Sequence, residues 1–154
     1  MLTAQNADMS PDGRWLAYQS NESGQNEIYV RPFPDVQGGR WQVSRAGGTR
    51  PLWARSGREL FYLTLPQSAD GNTAAGVAMM AVPIESASGF RALNPTRLFA
   101  GPYFTGLNGR TYDVSPDGQR FLMVKDKAAA SAAARRIIVV ENFFEELKRR
   151  APVK

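Results

Sequence analysis

The 154-residue chain contains no histidine and no cysteine. Without an imidazole there is no general base for a Ser-His-Asp or Cys-His arrangement, and no histidine ligand for zinc or iron. Without a thiol there is no disulfide and no sulfur nucleophile. No Gly-x-Ser-x-Gly nucleophile elbow occurs, and no glycine-rich phosphate loop followed by Lys-Ser or Lys-Thr. Asp70-Gly71-Asn72 is the nearest approach to a calcium loop, and it offers too few oxygens. No apolar run approaches the roughly 20 residues of a membrane span. The first twenty residues lack the basic start and apolar core of a signal peptide. The expectation is therefore a non-enzymatic segment with no catalytic residue, no metal, no cofactor and no membrane insertion. The net charge of +5 permits acidic partners, but the basic residues are scattered apart from Arg135-Arg136 and Lys148-Arg149-Arg150. Nucleic-acid binding normally shows a clustered stripe or a recognisable module, so the charge is read as serving solubility.

What the chain does contain is a repeat. Ser10-Pro11-Asp12-Gly13-Arg14 returns as Ser115-Pro116-Asp117-Gly118-Gln119, and each precedes an aromatic-aliphatic run. A worn third copy, Ala54-Arg55-Ser56-Gly57-Arg58, precedes Glu59-Leu60-Phe61-Tyr62-Leu63. Proline pre-sets φ at the second turn position, aspartate tolerates the third, and glycine supplies positive φ at the end. Pro11, Asp12, Gly13, Pro116, Asp117 and Gly118 are thus structural turn residues, each set joining antiparallel strands with a bulge at the glycine. The first two copies start 44 residues apart and the last two 61. Four-stranded propeller blades repeat at roughly 40–50 residues, so the second interval needs an insertion of about 15–20. The small, polar stretch 66–76 is the candidate.

These residues resemble the C-terminal part of a TolB-like, PD-type β-propeller, a relative of WD repeats. Glu27-Ile28-Tyr29-Val30-Arg31-Pro32 resembles the family's third blade strand. The stretch from Trp41-Gln42-Val43-Ser44 to Pro51-Leu52-Trp53 resembles the link from one blade's outer strand to the next blade's inner strand. Ile137-Ile138-Val139-Val140 and the residues after it resemble the close of propellers appended to bacterial Ser/Thr kinases. The resemblance implies an all-β fold of about three four-stranded antiparallel blades. It implies an extracytoplasmic or periplasmic setting where such a propeller is kinase-linked. It also admits an accessory propeller that gates a peptidase or other hydrolase domain.

Blade one is expected over residues 4–44, with strands near 4–9, 15–20, 27–32 and 41–44. Blade two is expected over 50–99, with strands near 51–53, 59–63, 77–83 and 96–99. Blade three is expected over 110–141, incomplete, with strands near 111–114, 120–125 and 136–141. The alanine-rich segment 126–135 reads as a hairpin loop. A short helix over 142–150 is signalled by Asn142 as N-cap, Glu145 three residues on, and cations in its last turn. Its apolar side is a lid on the last blade or a docking surface for a partner. Glu145-Glu146 then serves as first-turn charge.

Three blades fall short of a closed ring, which takes at least four. Each end leaves a blade-sized apolar face. Either further blades lie outside this segment, or copies associate, two of them closing a six-bladed ring by two-fold symmetry. The remaining expectation is a binding surface for a protein or peptide. Arg50, Arg110 and Tyr112 lie on the approaches to inner strands, where they either face a channel mouth or anchor neighbouring blades.

Overall fold

The computed structural model describes residues 3–65, 76–86, 89–106 and 109–125, and the backbone of the strand over 136–140. The 66–76 insertion (all but Gly76), the 126–135 loop and the expected helix over 142–150 lie outside the described residues. Within them the fold is all-β, with twelve strands in three antiparallel sheets and no helix.

The turns organise the strands. In the first, Gly13 N donates to Ser10 O and Ser10 N to Trp15 O, both at 2.8 Å. The Asp12 carboxylate accepts from Ser10 Oγ at 2.6 Å and from Arg14 N at 3.1 Å, and Trp15 N donates to Ser10 Oγ at 2.9 Å. The third turn repeats every one of these contacts with Ser115, Asp117, Gly118, Gln119 and Arg120. The worn turn keeps the backbone pattern, Gly57 N to Ala54 O and Ala54 N to Glu59 O, both at 2.9 Å. Ser56 Oγ stands in for the missing carboxylate, accepting from Arg58 N at 3.3 Å. Gly13, Gly57 and Gly118 have φ of 70°, 68° and 73°. That left-handed conformation admits glycine at no steric cost.

The first sheet has the order β1 (Ala4–Met9), β2 (Trp15–Ser20), β3 (Glu27–Pro32) and β4 (Trp41–Gln42). β4 stops two residues short of the expected 41–44. Val43 N and Ser44 N both turn to the Ile28 carbonyl, and Ser44 Oγ accepts from Ile28 N at 2.8 Å while donating to the buried Glu27 carboxylate. That side-chain bonding replaces the ladder.

The second sheet contains β5 (Thr49–Trp53), β6 (Glu59–Thr64), β7 (Val77–Glu85), β8 (Arg91–Ala92) and β9 (Thr96–Gly101). β7 pairs with β9 along its first half and with β8 at Ile84 and Glu85. The strand β8 is absent from the sequence expectation. It places Phe90 beside Trp15 and Trp41, with ring centroids 5.1 and 5.2 Å away. The third sheet runs β10 (Tyr112–Val114), β11 (Phe121–Lys125) and β12 (Arg136–Val140).

The extra length between the second and third turns is not one insertion. β6 and β7 start 18 residues apart against 12 for β2 and β3. β7 and β9 start 19 apart against 14 for β3 and β4, which accommodates β8. The rest lies between β9 and β10, where Tyr103 bridges to Lys125 before the chain rejoins the sheet at Tyr112.

The three sheets stack face to face. Trp15, Ala17, Ile28 and Val30 of the first pack on Trp53, Leu60, Tyr62 and Val82 of the second. The second sheet's opposite face, with Leu52, Phe61, Leu63 and Met79, packs on Tyr112, Phe121 and Met123 of the third. Strand alternation puts successive side chains on opposite faces, so the middle sheet is buried on both. Burial of apolar surface at about 25 cal/mol per Å² is the main stabilising term at both junctions.

Candidate functional site

The innermost strands β1, β5 and β10 meet where the sheets converge. β1 carries a register shift between Gln5 and Asp8, and β5 one between Thr49 and Leu52. Asn6 and Arg50 occupy the same place four residues before their turns. Both have positive φ, 52° and 55°. Non-glycine residues enter that region uncommonly, and asparagine does so most readily. Arg50 is held there by bonds on every side. Its amide donates to Gln19 Oε1 at 3.3 Å, and its carbonyl accepts from Tyr112 Oη at 2.7 Å.

The Arg50 guanidinium is buried and clasps the segment leading into β10. Nε donates to Gly109 O at 2.7 Å and Nη2 to Gly106 O at 2.6 Å. Nη1 reaches Thr49 Oγ1 at 3.4 Å. Its acceptors among the described residues are thus carbonyl and hydroxyl oxygens rather than a carboxylate. Burial lowers the Arg50 pKa, with the neighbouring Tyr112 acting in the opposite direction. The arginine stays charged even so, because its ordinary pKa lies so far above neutrality. Burial likewise raises the Tyr112 hydroxyl pKa, so it is a neutral donor.

Arg110 differs from the other two. Its side chain is 38% exposed and makes an ion pair of 3.5 Å with Asp8 across the face of β5. The second Asp8 oxygen accepts the Trp53 amide at 2.8 Å. One aspartate therefore ties β1 to β5 and to the approach to β10. The Thr111 hydroxyl beside it is buried with no hydrogen-bond partner among the described residues.

The structure thus brings Arg50, Arg110 and Tyr112 together. Two are buried anchors and one is open to solvent. Asp12 and Asp117 lie in separate turns at the ends of the inner strands of the first and third sheets. Asp8 and Gln19 escaped the sequence reading, although Asp8 sits two residues before Ser10 just as Asp113 sits two before Ser115. Among the described residues no three metal-ligating side chains gather at one point, and no helix is long and apolar enough to cross a membrane.

No protein-family model and no curated protein matches this sequence. Solved structures do. A protein assigned as TolB from Agrobacterium tumefaciens superposes with a TM-score of 0.60 at 15% identity, covering 93% of this chain and 46% of its own. An acylaminoacyl peptidase, in complex with Z-Gly-Gly-Phe-chloromethyl ketone, superposes with a TM-score of 0.52 at 13% identity. That match covers 90% of this chain and 24% of the peptidase. The chain therefore spans less than half of either protein. At these identities the likeness speaks for the fold: the three stacked sheets are blades of a β-propeller, similar in fold to those of the TolB structure.

Proposed function

We propose that this chain is a non-enzymatic propeller module that binds another polypeptide through its bare blade faces. One observation carries the reading. Aligned on the turns, Leu16 and Tyr18 occupy the places where Leu60 and Tyr62 pack the second blade on the first. Leu122 and Val124 occupy the place of Phe61 and Leu63, which pack the second blade on the third. Both end faces have blade-packing residues in blade-packing register and, among the described residues, no blade against them. Leu122 is 44% exposed and Met9 43%. Exposed apolar residues in blade-packing register support an interaction site at each end face. Arg110, with Arg50 and Tyr112 holding its segment, is the solvent-facing group at the channel mouth for a protein or peptide ligand.

The test is binding of an environment-sensitive apolar dye to dilute protein, compared with a Leu16→Glu/Leu122→Glu variant. Strong dye fluorescence in the unaltered chain, largely lost in the variant with its circular dichroism preserved, is the expected result. Equal and weak fluorescence in both overturns the reading. A second reading, an accessory propeller beside a hydrolase domain, draws support from the likeness to the acylaminoacyl peptidase. A hydrolase domain in the same reading frame would favour it.

A further inference from the structure

Resting on that reading, we infer that the partner is a second copy of this chain. The open face of its third blade seats on the open face of the other's first, with Asp113 of one copy accepting the Met9 amide of the other. The molecule supplies its own template. At the first junction, Asp8 Oδ2 accepts the Trp53 amide at 2.8 Å. Asp113 stands two residues before Ser115 as Asp8 stands two before Ser10. Met9 precedes its turn as Trp53 precedes the worn one, and it pairs with Leu16 as Trp53 pairs with Leu60.

The amide direction follows from the ladder. Ser10 N donates to Trp15 O and Ala54 N to Glu59 O, so these are hydrogen-bonded pairs. The next pairs, Met9 with Leu16 and Trp53 with Leu60, are then non-hydrogen-bonded, and their amides point away from the hairpin partner. Trp53 uses that amide to reach the preceding blade. Met9 presents the same amide on the bare edge. Asp113 is exposed, and among the described residues its Oδ1 accepts the amide of its own neighbour Val114, at 2.9 Å.

The side chains agree with the backbone. Leu122 and Val124 face outward as Phe61 and Leu63 do at the second junction. The opposite bare face holds an open groove, lined in part by Ala7, Leu16, Tyr18 and Val36, to receive them. Each copy offers one face of each kind. A head-to-tail contact of this type makes a ring only if the rotation closes, and otherwise a filament. Three blades per copy give six in a two-copy ring, inside the range of closed propellers.

The absence of cysteine makes the contact directly testable. A Met9→Cys chain and an Asp113→Cys chain, mixed at micromolar concentration under mild oxidation, are expected to give a disulfide-linked pair. Neither alone should, since the ring keeps equivalent positions apart. Light scattering of the unaltered chain is expected to show two-chain particles and no growth beyond them. Asp113→Ala should weaken the pair about a hundredfold, the usual tenfold loss for one hydrogen bond taken at both junctions of the ring. A chain that stays monomeric throughout the micromolar range while still binding the apolar dye overturns this inference and leaves the bare-face reading standing. Particles that grow with concentration, or cross-linking of Met9→Cys chains to one another as readily as to Asp113→Cys chains, also overturn it.

Discussion

The hydroxyl of Tyr112 donates to the main-chain carbonyl of Arg50 at 2.7 Å, joining the third blade's inner strand to the second's at a residue with φ of 55°. The bond satisfies a buried acceptor that the bulge in β5 has pulled out of the ladder. Tyr112→Phe keeps the ring packing and removes only the donor. The expected loss is about 1–3 kcal/mol, the penalty for leaving a buried carbonyl unpaired. It would appear as a lower denaturant midpoint with an unchanged slope. A midpoint equal to that of the unaltered chain would show that the bond contributes nothing.

The worn turn can be repaired. Ala54→Ser with Ser56→Asp recreates the hydroxyl–carboxylate pair present at Ser10/Asp12 and Ser115/Asp117. Ser10 is itself buried, so a hydroxyl is accommodated at that place when its partners are present. The double variant should gain about 0.5–1.5 kcal/mol. Gly57→Ala acts in the other direction, by about 1 kcal/mol, because φ is 68° there. Thermal midpoints of the two variants should move to opposite sides of the parent.

Stability should fall at alkaline pH. Burial, and secondarily the charge of Glu27, push the Tyr62 hydroxyl from 10.0 up to about 12. Its folded pKa lies above its unfolded one, so its contribution is intact below pH 10 and is lost as pH rises through about 12. Tyr62→Phe should flatten the stability curve across that window. Some slope should remain, since Tyr112 is raised as well. A curve of unchanged steepness in the variant would contradict the assignment.

Acid acts through the turns. The Ser10 hydroxyl, then the Arg14 amide, holds Asp12 below its ordinary 3.8, against an opposing effect of burial. The Ser115 hydroxyl and the Gln119 amide do the same for Asp117. Depressed carboxylates stabilise above their unfolded pKa and lose that contribution as pH falls through the folded value. The loss should therefore fall below pH 3.8, and Asp12→Asn with Asp117→Asn should reduce it. Urea midpoints measured between pH 5 and the acid limit would show this.

The strands that open on a turn were legible because local chemistry sets them. Pro11 and Gly13 fix a reversal, and the aromatic run after Arg14 can only be a strand. β8 was not legible. Arg91–Ala92 is too short for any period, and Phe90 owes its position to Trp15 and Trp41 of another blade. The nearness of Arg50 to Tyr112 was readable from their shared approach to inner strands. Which atoms meet was not, because the bulge that turns the Arg50 carbonyl toward Tyr112 leaves no mark in composition. Asp8 was missed because a lone carboxylate on a strand reads as surface charge. Its role shows only against the backbone of the adjacent blade.

The rim of the molecule bears on how it grows. β4 and β8 are two residues each, and β9 meets β7 through an irregular register. Stubby, uneven borders such as these, on the first two blades, make poor templates for ribbon-like extension. Lateral fusion into fibrils is thereby discouraged along these two borders.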